Sequence, residues 1–133
     1  MDGAKVRSFR DLLIWQKGME LSTNCYRLTK TFPKEETYGL ISQIRRASVS
    51  VPANISEGFG RDSTGDFIRF LRIAQGSLKE VETLLELSVR VECCPDADIR
   101  LSQNACTEIG KMIRSMIRKL KPRESGSDSQ IVR

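Results

Sequence analysis

Apolar residues return along this chain at helical spacing, with no credible strand alternation. From about Phe9 to Thr31 they form two stripes. Leu12, Trp15, Met19 and Tyr26 make one, and Ile14, Leu21, Cys25, Leu28 and Phe32 make the other. At about 100° per residue, these lie on nearly opposite sides of one helix. Phe32-Pro33 ends it, because proline pushes the preceding residue out of the α region. A second helix is predicted from about Glu35 to Glu57, with Leu40, Ile41, Ile44, Ala47, Ser48, Val51, Ile55 and Phe59 on one face. Pro52 sits inside it, which predicts a kink near Ser48–Pro52 or, alternatively, two short helices. Gly58-Phe59-Gly60-Arg61-Asp62 breaks the pattern. Ser63-Thr64-Gly65-Asp66 then reads as a capping box variant opening a third helix, to about Val91. Its main stripe is Phe67, Phe70, Leu71, Ala74, Leu78, Val81, Leu85 and Val89, and a second is Ile73, Leu84, Leu87 and Val91. Cys94-Pro95-Asp96 opens a last helix to about Leu120. It shows a single face of Ala105, Ile109, Met112, Ile113, Met116, Ile117 and Leu120, and Lys121-Pro122 stops it.

Four amphipathic helices with short connections predict an all-α protein, an antiparallel up-down-up-down four-helix bundle. The expected organisation is an N-terminal arm over residues 1–8, the bundle over 9–121 and a polar, disordered tail over 122–133. A helix in a lone bundle needs only one apolar face. The second stripes (Ile14, Leu21, Leu28; Ile73, Leu84, Leu87) are therefore candidate core or interface residues, and they predict a homo-oligomer. A wide core on a monomer is the alternative.

Composition narrows the function classes. The 133 residues make one domain, and 9 Gly with 4 Pro are too few for the turns of a small β-sandwich. With no histidine, His-based triads, His-ligated zinc and imidazole acid–base chemistry drop out. Cys25 and Cys106 fall on apolar stripes, Cys93 and Cys94 are adjacent, and no pair has metal-ligand spacing. No metal or cofactor is expected. Neither an apolar leader nor a run of about 18 apolar residues occurs, so a reducing, cytoplasmic setting away from membranes is expected.

Net charge is +5, with the basic excess in residues 1–34 and 95–121. Lys111, Arg114, Arg118 and Lys121 follow i, i+3, i+7, i+10, a ridge expected opposite the apolar face of the last helix. Such a ridge is either a solvated face or a phosphate-contacting surface. Arg10 and Lys17 form a second candidate set. No aromatic residue interleaves the ridge, so contacts to RNA or DNA would be to phosphates, with little base reading. A polar cluster is also predicted from Arg45, Arg46, Ser50 and Glu57 with Ser77 and Glu80. It reads either as an ion-pair lock between helices or, more weakly, as a small-molecule enzyme site using Arg46, Glu57 and Glu80. Gly18, Gly76 and Gly110 interrupt helices, each marking a close approach or a tolerated cost.

Three blocks carry a family resemblance: Phe9 to Lys17 with Trp15-Gln16-Lys17; Tyr38-Gly39-Leu40 through Gln43-Ile44-Arg45-Arg46-Ala47 to Asn54-Ile55-Ser56-Glu57-Gly58; and Phe70 to Thr83. Together they resemble the four-helix-bundle family encoded in intervening sequences of bacterial large-subunit ribosomal RNA genes. The accessory variability protein of diversity-generating retroelements is related to it. The resemblance spans about Phe9 to Leu120 and implies a ring-shaped homopentamer without enzymatic activity. The retroelement relative implies binding of nucleic acid and of a reverse transcriptase through a basic surface. Glu92-Cys93-Cys94-Pro95 departs from the family's more apolar, glycine-containing turn. The functional expectation is a non-enzymatic, nucleic-acid-associated accessory or scaffold protein; the alternative is a scaffold for a protein partner.

Overall fold

The computed structural model describes residues 5–122; residues 1–4 of the expected arm and 123–133 of the expected tail lie outside the described residues. Among the described residues there are four long helices and no strand: α1 (Leu13–Thr29), α2 (Ser42–Phe59), α3 (Thr64–Arg90) and α4 (Asp96–Leu120). α1 packs on α2 and α4, and α3 packs on the same two neighbours. One shared core fills the space between them, with Ile14 and Leu21, Ile44 and Ile55, Leu71 and Leu78, and Ile109 and Ile113 fully buried.

The helix ends follow local polar chemistry. Ser8 Oγ accepts the Arg10 amide at 3.1 Å, and the Asp11 carboxylate accepts the Arg7 and Ser8 amides at 2.9 and 3.1 Å. These bonds hold a 3-10 turn over Phe9–Asp11, so α1 begins at Leu13, later than the apolar spacing suggests. Ser63 Oγ accepts the Asp66 amide at 3.1 Å, as its position before α3 predicts. At the other end of α3, the Glu92 amide donates to Val89 O at 3.0 Å and the Cys93 amide to Ser88 O at 2.8 Å. That pair of bonds is the Schellman closure, with Glu92 at φ 67 in the position that favours glycine. A side chain there costs roughly 1 kcal/mol.

The second helix starts later than its apolar spacing implies. A 3-10 turn (Lys34–Glu36) and a π-helical turn (Thr37–Ile41) precede it, with Gly39 at φ −109, ψ −111. The Glu36 carboxylate accepts the Leu40 amide at 3.0 Å and secures this turn. Leu40 is buried, which is why periodicity alone carries the helix across the irregularity.

α2 then runs unbroken through Pro52, so two short helices are not formed. Proline has no N–H to give the carbonyl four residues earlier, that of Ser48. Ser22 Oγ of α1 reaches that carbonyl at 2.9 Å while also lying 3.1 Å from Gly18 O. The proline ring occupies the space a side chain on Gly18 would need: a Cβ there would sit 3.3 Å from Pro52 Cβ. One helix thus supplies both the missing hydrogen bond and the room for the ring.

The doubled stripes also separate. Ile14, Leu21 and Cys25 of α1 are buried in the chain's own core, whereas Met19 and Tyr26 remain 43% and 42% exposed. On α3, Leu84 is buried while Ile73 and Leu87 are exposed.

Candidate nucleic-acid interface

The ridge on α4 does not lie opposite the core. Lys111, Arg114, Arg118 and Lys121 flank it on the α3 side, where they form one wall of a groove of about 660 Å³ between α3 and α4. The other wall comes from α3: Arg72, Gln75 and Lys79. Gly110, Leu78, Cys106 and Ile117 lie between the walls, and Gly76 borders the α3 wall on its exposed side. The displacement has a simple cause. Ala105, Met112 and Met116 are only partly buried, and the two methionines line the depression toward α1 with Leu13. Counting them with Ile113 and Ile117 moves the apparent apolar face away from α3.

Six cations therefore line one groove with a single carboxylate, Glu82, which holds Lys79 at 3.3 Å. Among the described residues, no acid pairs with Arg72, Lys111, Arg114, Arg118 or Lys121. All five are exposed. Unpaired cations along a concavity concentrate positive potential there and attract anions. Sequence reasoning misses Arg72 and Lys79, although a signal for them exists: Arg72, Gly76 and Lys79 share one helical side of α3 and frame one of its interior glycines.

Arg10 and Lys17 stand apart from this groove. The Arg10 guanidinium lies 4.5 Å over the Phe9 ring. Lys17 forms an ion pair with Glu108 of α4 at 3.4 Å.

The predicted polar cluster is divided among three places. Ser50 and Ser77 do meet, Oγ to Oγ at 2.8 Å across α2 and α3, and Asn54 Nδ2 donates to Ser50 Oγ at 2.9 Å. Arg45 turns to α1: its Nε donates to Thr29 Oγ1 at 2.8 Å, and its guanidinium stacks 4.5 Å over Tyr26. Glu57 pairs with Arg61 at 2.8 Å. Arg46 and Glu80 are exposed, with no ion pair among the described residues. Sharing a helix face does not bring Arg46 to Glu57, since eleven residues span about 16 Å. The arrangement is a hydroxyl–amide clasp between α2 and α3, flanked by separate surface charges.

The thiols are protonated at neutral pH. Burial pushes the Cys106 thiol up to about 12, with the nearby Glu82 charge adding to it. Burial likewise pushes Cys25 up to about 11. Cys93 and Cys94 are raised as well, first by loss of solvent. Among the described residues, no group of three His, Cys, Asp or Glu side chains could hold a metal ion, and no helix is long and apolar enough to cross a membrane.

Comparison with known proteins places the chain. The search of curated proteins returns no match. Among solved structures, a protein of unknown function from the S23 ribosomal protein family of Bacteroides thetaiotaomicron is 32% identical, with a TM-score of 0.74, covering 80% of this chain and 99% of that one. Residues 10–115 match the model of the 23S rRNA-intervening sequence proteins, a span that takes in α1, α2 and α3 whole and α4 as far as Ser115. The resemblance carried by the Arg45-Arg46, Asn54–Gly58 and Phe70–Thr83 blocks is a true relationship, and the chain belongs to the 23S rRNA-intervening sequence protein family.

Proposed function

We propose that this protein is a non-enzymatic accessory or scaffold protein that holds RNA or DNA by its phosphate backbone. The observation that carries the reading is the α3–α4 groove, with six cations, one carboxylate and no aromatic side chain. Cations of this kind neutralise phosphates and release counterions, which gives affinity without base reading. The raised thiols suit a non-enzymatic role, since Cys106 under the groove is a poor nucleophile.

The fold that presents the groove is, in this reading, an antiparallel up-down-up-down bundle bent at Pro52. Copies associate into a ring-shaped homo-oligomer, a pentamer by family resemblance. The outward Met19, Tyr26, Val49, Ile73 and Leu87 support association through α1, α2 and α3, leaving the α3–α4 groove open. Repeating the groove around a ring multiplies its charge toward one polyanion. The protein acts in the cytoplasm, away from membranes, and a reverse transcriptase is a partner where the gene is linked to a retroelement.

The test is binding to RNA and duplex DNA over a salt series. Neutralising Lys111, Arg114, Arg118 or Lys121 is expected to flatten the log–log salt slope by about 0.7–0.9 for each phosphate no longer neutralised, with sequence preference unchanged. An unaltered slope in the fourfold variant defeats the reading, and so does strong discrimination between sequences. Neutralising Arg10 and Lys17 is expected to change the slope less, because Glu108 already holds Lys17.

A further inference from the structure

Gly76 stands on an exposed stripe of α3 for which the chain itself supplies no neighbour. Arg69, Ile73, Gly76 and Glu80 follow i, i+4, i+7, i+11, so they share one side of the helix over about 16 Å. All four are exposed, Ile73 to 42%. A Cβ on Gly76 would meet nothing within 4 Å, so packing inside the chain does not require a glycine there. Glycine weakens a helix interior relative to alanine, and it lets another chain approach the backbone closely. The adjacent Ser77 meets Ser50 of α2, so the stripe runs along the α2 side of α3, while Gln75 and Leu78 line the α3–α4 groove.

The stripe is complementary to itself. When it is laid antiparallel on a second copy's α3, one register brings residues whose numbers add to 149 opposite each other. Ile73 then faces the second copy's Gly76, and Gly76 receives the second copy's Ile73. Arg69 faces the second copy's Glu80, and Glu80 faces the second copy's Arg69. A branched side chain enters each place that lacks one, and both flanking pairs are of opposite sign.

Other alignments lose this match. A register centred on Glu80 sets two carboxylates face to face. One centred on residue 78 leaves Gly76 opposite Glu80 and Ile73 opposite Thr83. A parallel pair related by a two-fold axis sets each residue beside its own copy, so like charges meet. Within the chain, Arg69 has only an exposed pair with Asp66 at 3.6 Å and a stack 4.6 Å over Phe70. Such an exposed pair holds an arginine weakly. Glu80 has no ion pair among the described residues.

We propose that α3 docks on a second copy's α3 in this antiparallel, two-fold register, with Ile73 over Gly76 and Arg69 against Glu80. A two-fold contact uses the same patch on both sides and closes on two units. It therefore pairs two rings, or two single chains where no ring forms, and it is independent of what the groove binds. Met19, Tyr26, Val49 and Leu87 stay available for contacts within a ring.

The experiment is sedimentation velocity on the full chain over about a hundredfold range of concentration. The parent is expected to show a reversible step in which the sedimenting mass doubles. Arg69→Glu alone sets carboxylates against each other at both ends of the contact, and Glu80→Arg alone does the same with guanidinium groups. Each is expected to move the step to at least about tenfold higher concentration. Mixing the two variants brings Glu against Arg at both ends and is expected to restore the step as a mixed pair. The double variant, Arg69→Glu with Glu80→Arg, is expected to restore it as well. Gly76→Leu fills the space that Ile73 enters and is expected to abolish the step, with helical circular dichroism retained. A step that neither reversal nor Gly76→Leu moves overturns the contact, and so does a mixture that fails to recover it. A parent mass that never doubles overturns it too, whatever the mass of the unit. A doubling unit of 15.0 kDa removes the ring and keeps the pairing, whereas a larger doubling unit keeps both.

Discussion

Gly18, on the seam between α1 and α2, and Gly76, on the exposed side of α3, are both glycines inside helices, and their surroundings are opposite. At Gly18, the space without a side chain is filled by the Pro52 ring, and Ser22 one turn on covers the carbonyl that proline leaves unbonded. At the α2–α3 turn, Gly58 is tighter still, since a Cβ there would lie 2.7 Å from Phe70 Cβ and 3.0 Å from Phe67. At Gly76, nothing fills the space. The same residue type permits close packing in the first two places and faces open space in the third. The lesson is that a glycine inside a helix is required by packing only where a neighbour moves into the room it leaves.

That contrast is open to attack by substitution, beginning where the room is smallest. Gly58→Val is expected to destabilise the fold by about 3 kcal/mol in urea unfolding, because Phe70 and Phe67 cannot both retreat. A loss under about 1 kcal/mol would mean that the α2–α3 turn has slack. Ser22→Ala removes the donor to a buried carbonyl and should cost about 2 kcal/mol. Restoring the proline's own amide tests the same bond from the other side: with Pro52→Ala in place, Ser22→Ala should cost clearly less.

Alanine in place of Gly76 and Gly18 should move stability in opposite directions. Gly76→Ala is expected to stabilise by about 1 kcal/mol, from helix propensity alone. Gly18→Ala is expected to destabilise by about 1 kcal/mol, since a rigid ring 3.3 Å away opposes the added carbon. Parallel thermal melts decide the matter; two changes of the same sign would erase the distinction between filled and open glycines.

The smallest expected effect concerns the core thiols on either side of these seams. Cys25 and Cys106 are raised in the folded chain above the ordinary value of 9.0, to about 11 and about 12. A raised value means that the folded state favours the neutral thiol. Their contribution is therefore fully present below pH 9.0 and is lost as pH rises toward the folded values. At pH 9.0 the loss is about 0.4 kcal/mol per thiol, and it grows with further alkalinity. Urea midpoints measured from pH 7 to pH 9 should show the decline, and replacing both cysteines by alanine should flatten it.

Periodicity, punctuation and composition determined the four helices, the cap at Ser63, the helix stop at Lys121-Pro122 and the absence of histidine chemistry. These are local properties, set by residues within a turn or two of one another. The ridge from Lys111 to Lys121 was legible for the same reason. Its direction was not: Met112 and Met116 are apolar but only partly buried, and no rule about one helix says which neighbour takes them. Arg72 and Lys79 share a helical side that the sequence shows, but their place as the second wall was out of reach because 35 residues separate Arg72 from Thr107 across the seam, and only packing brings them to one groove. The polar cluster came apart for a related reason. Residues on one face of α2 point the same way, but Glu57 had an arginine one turn on, Arg45 reached α1, and only Ser50 met α3. Tertiary structure alone decided which glycines are filled, because a missing side chain leaves no record in the sequence of what occupies its place.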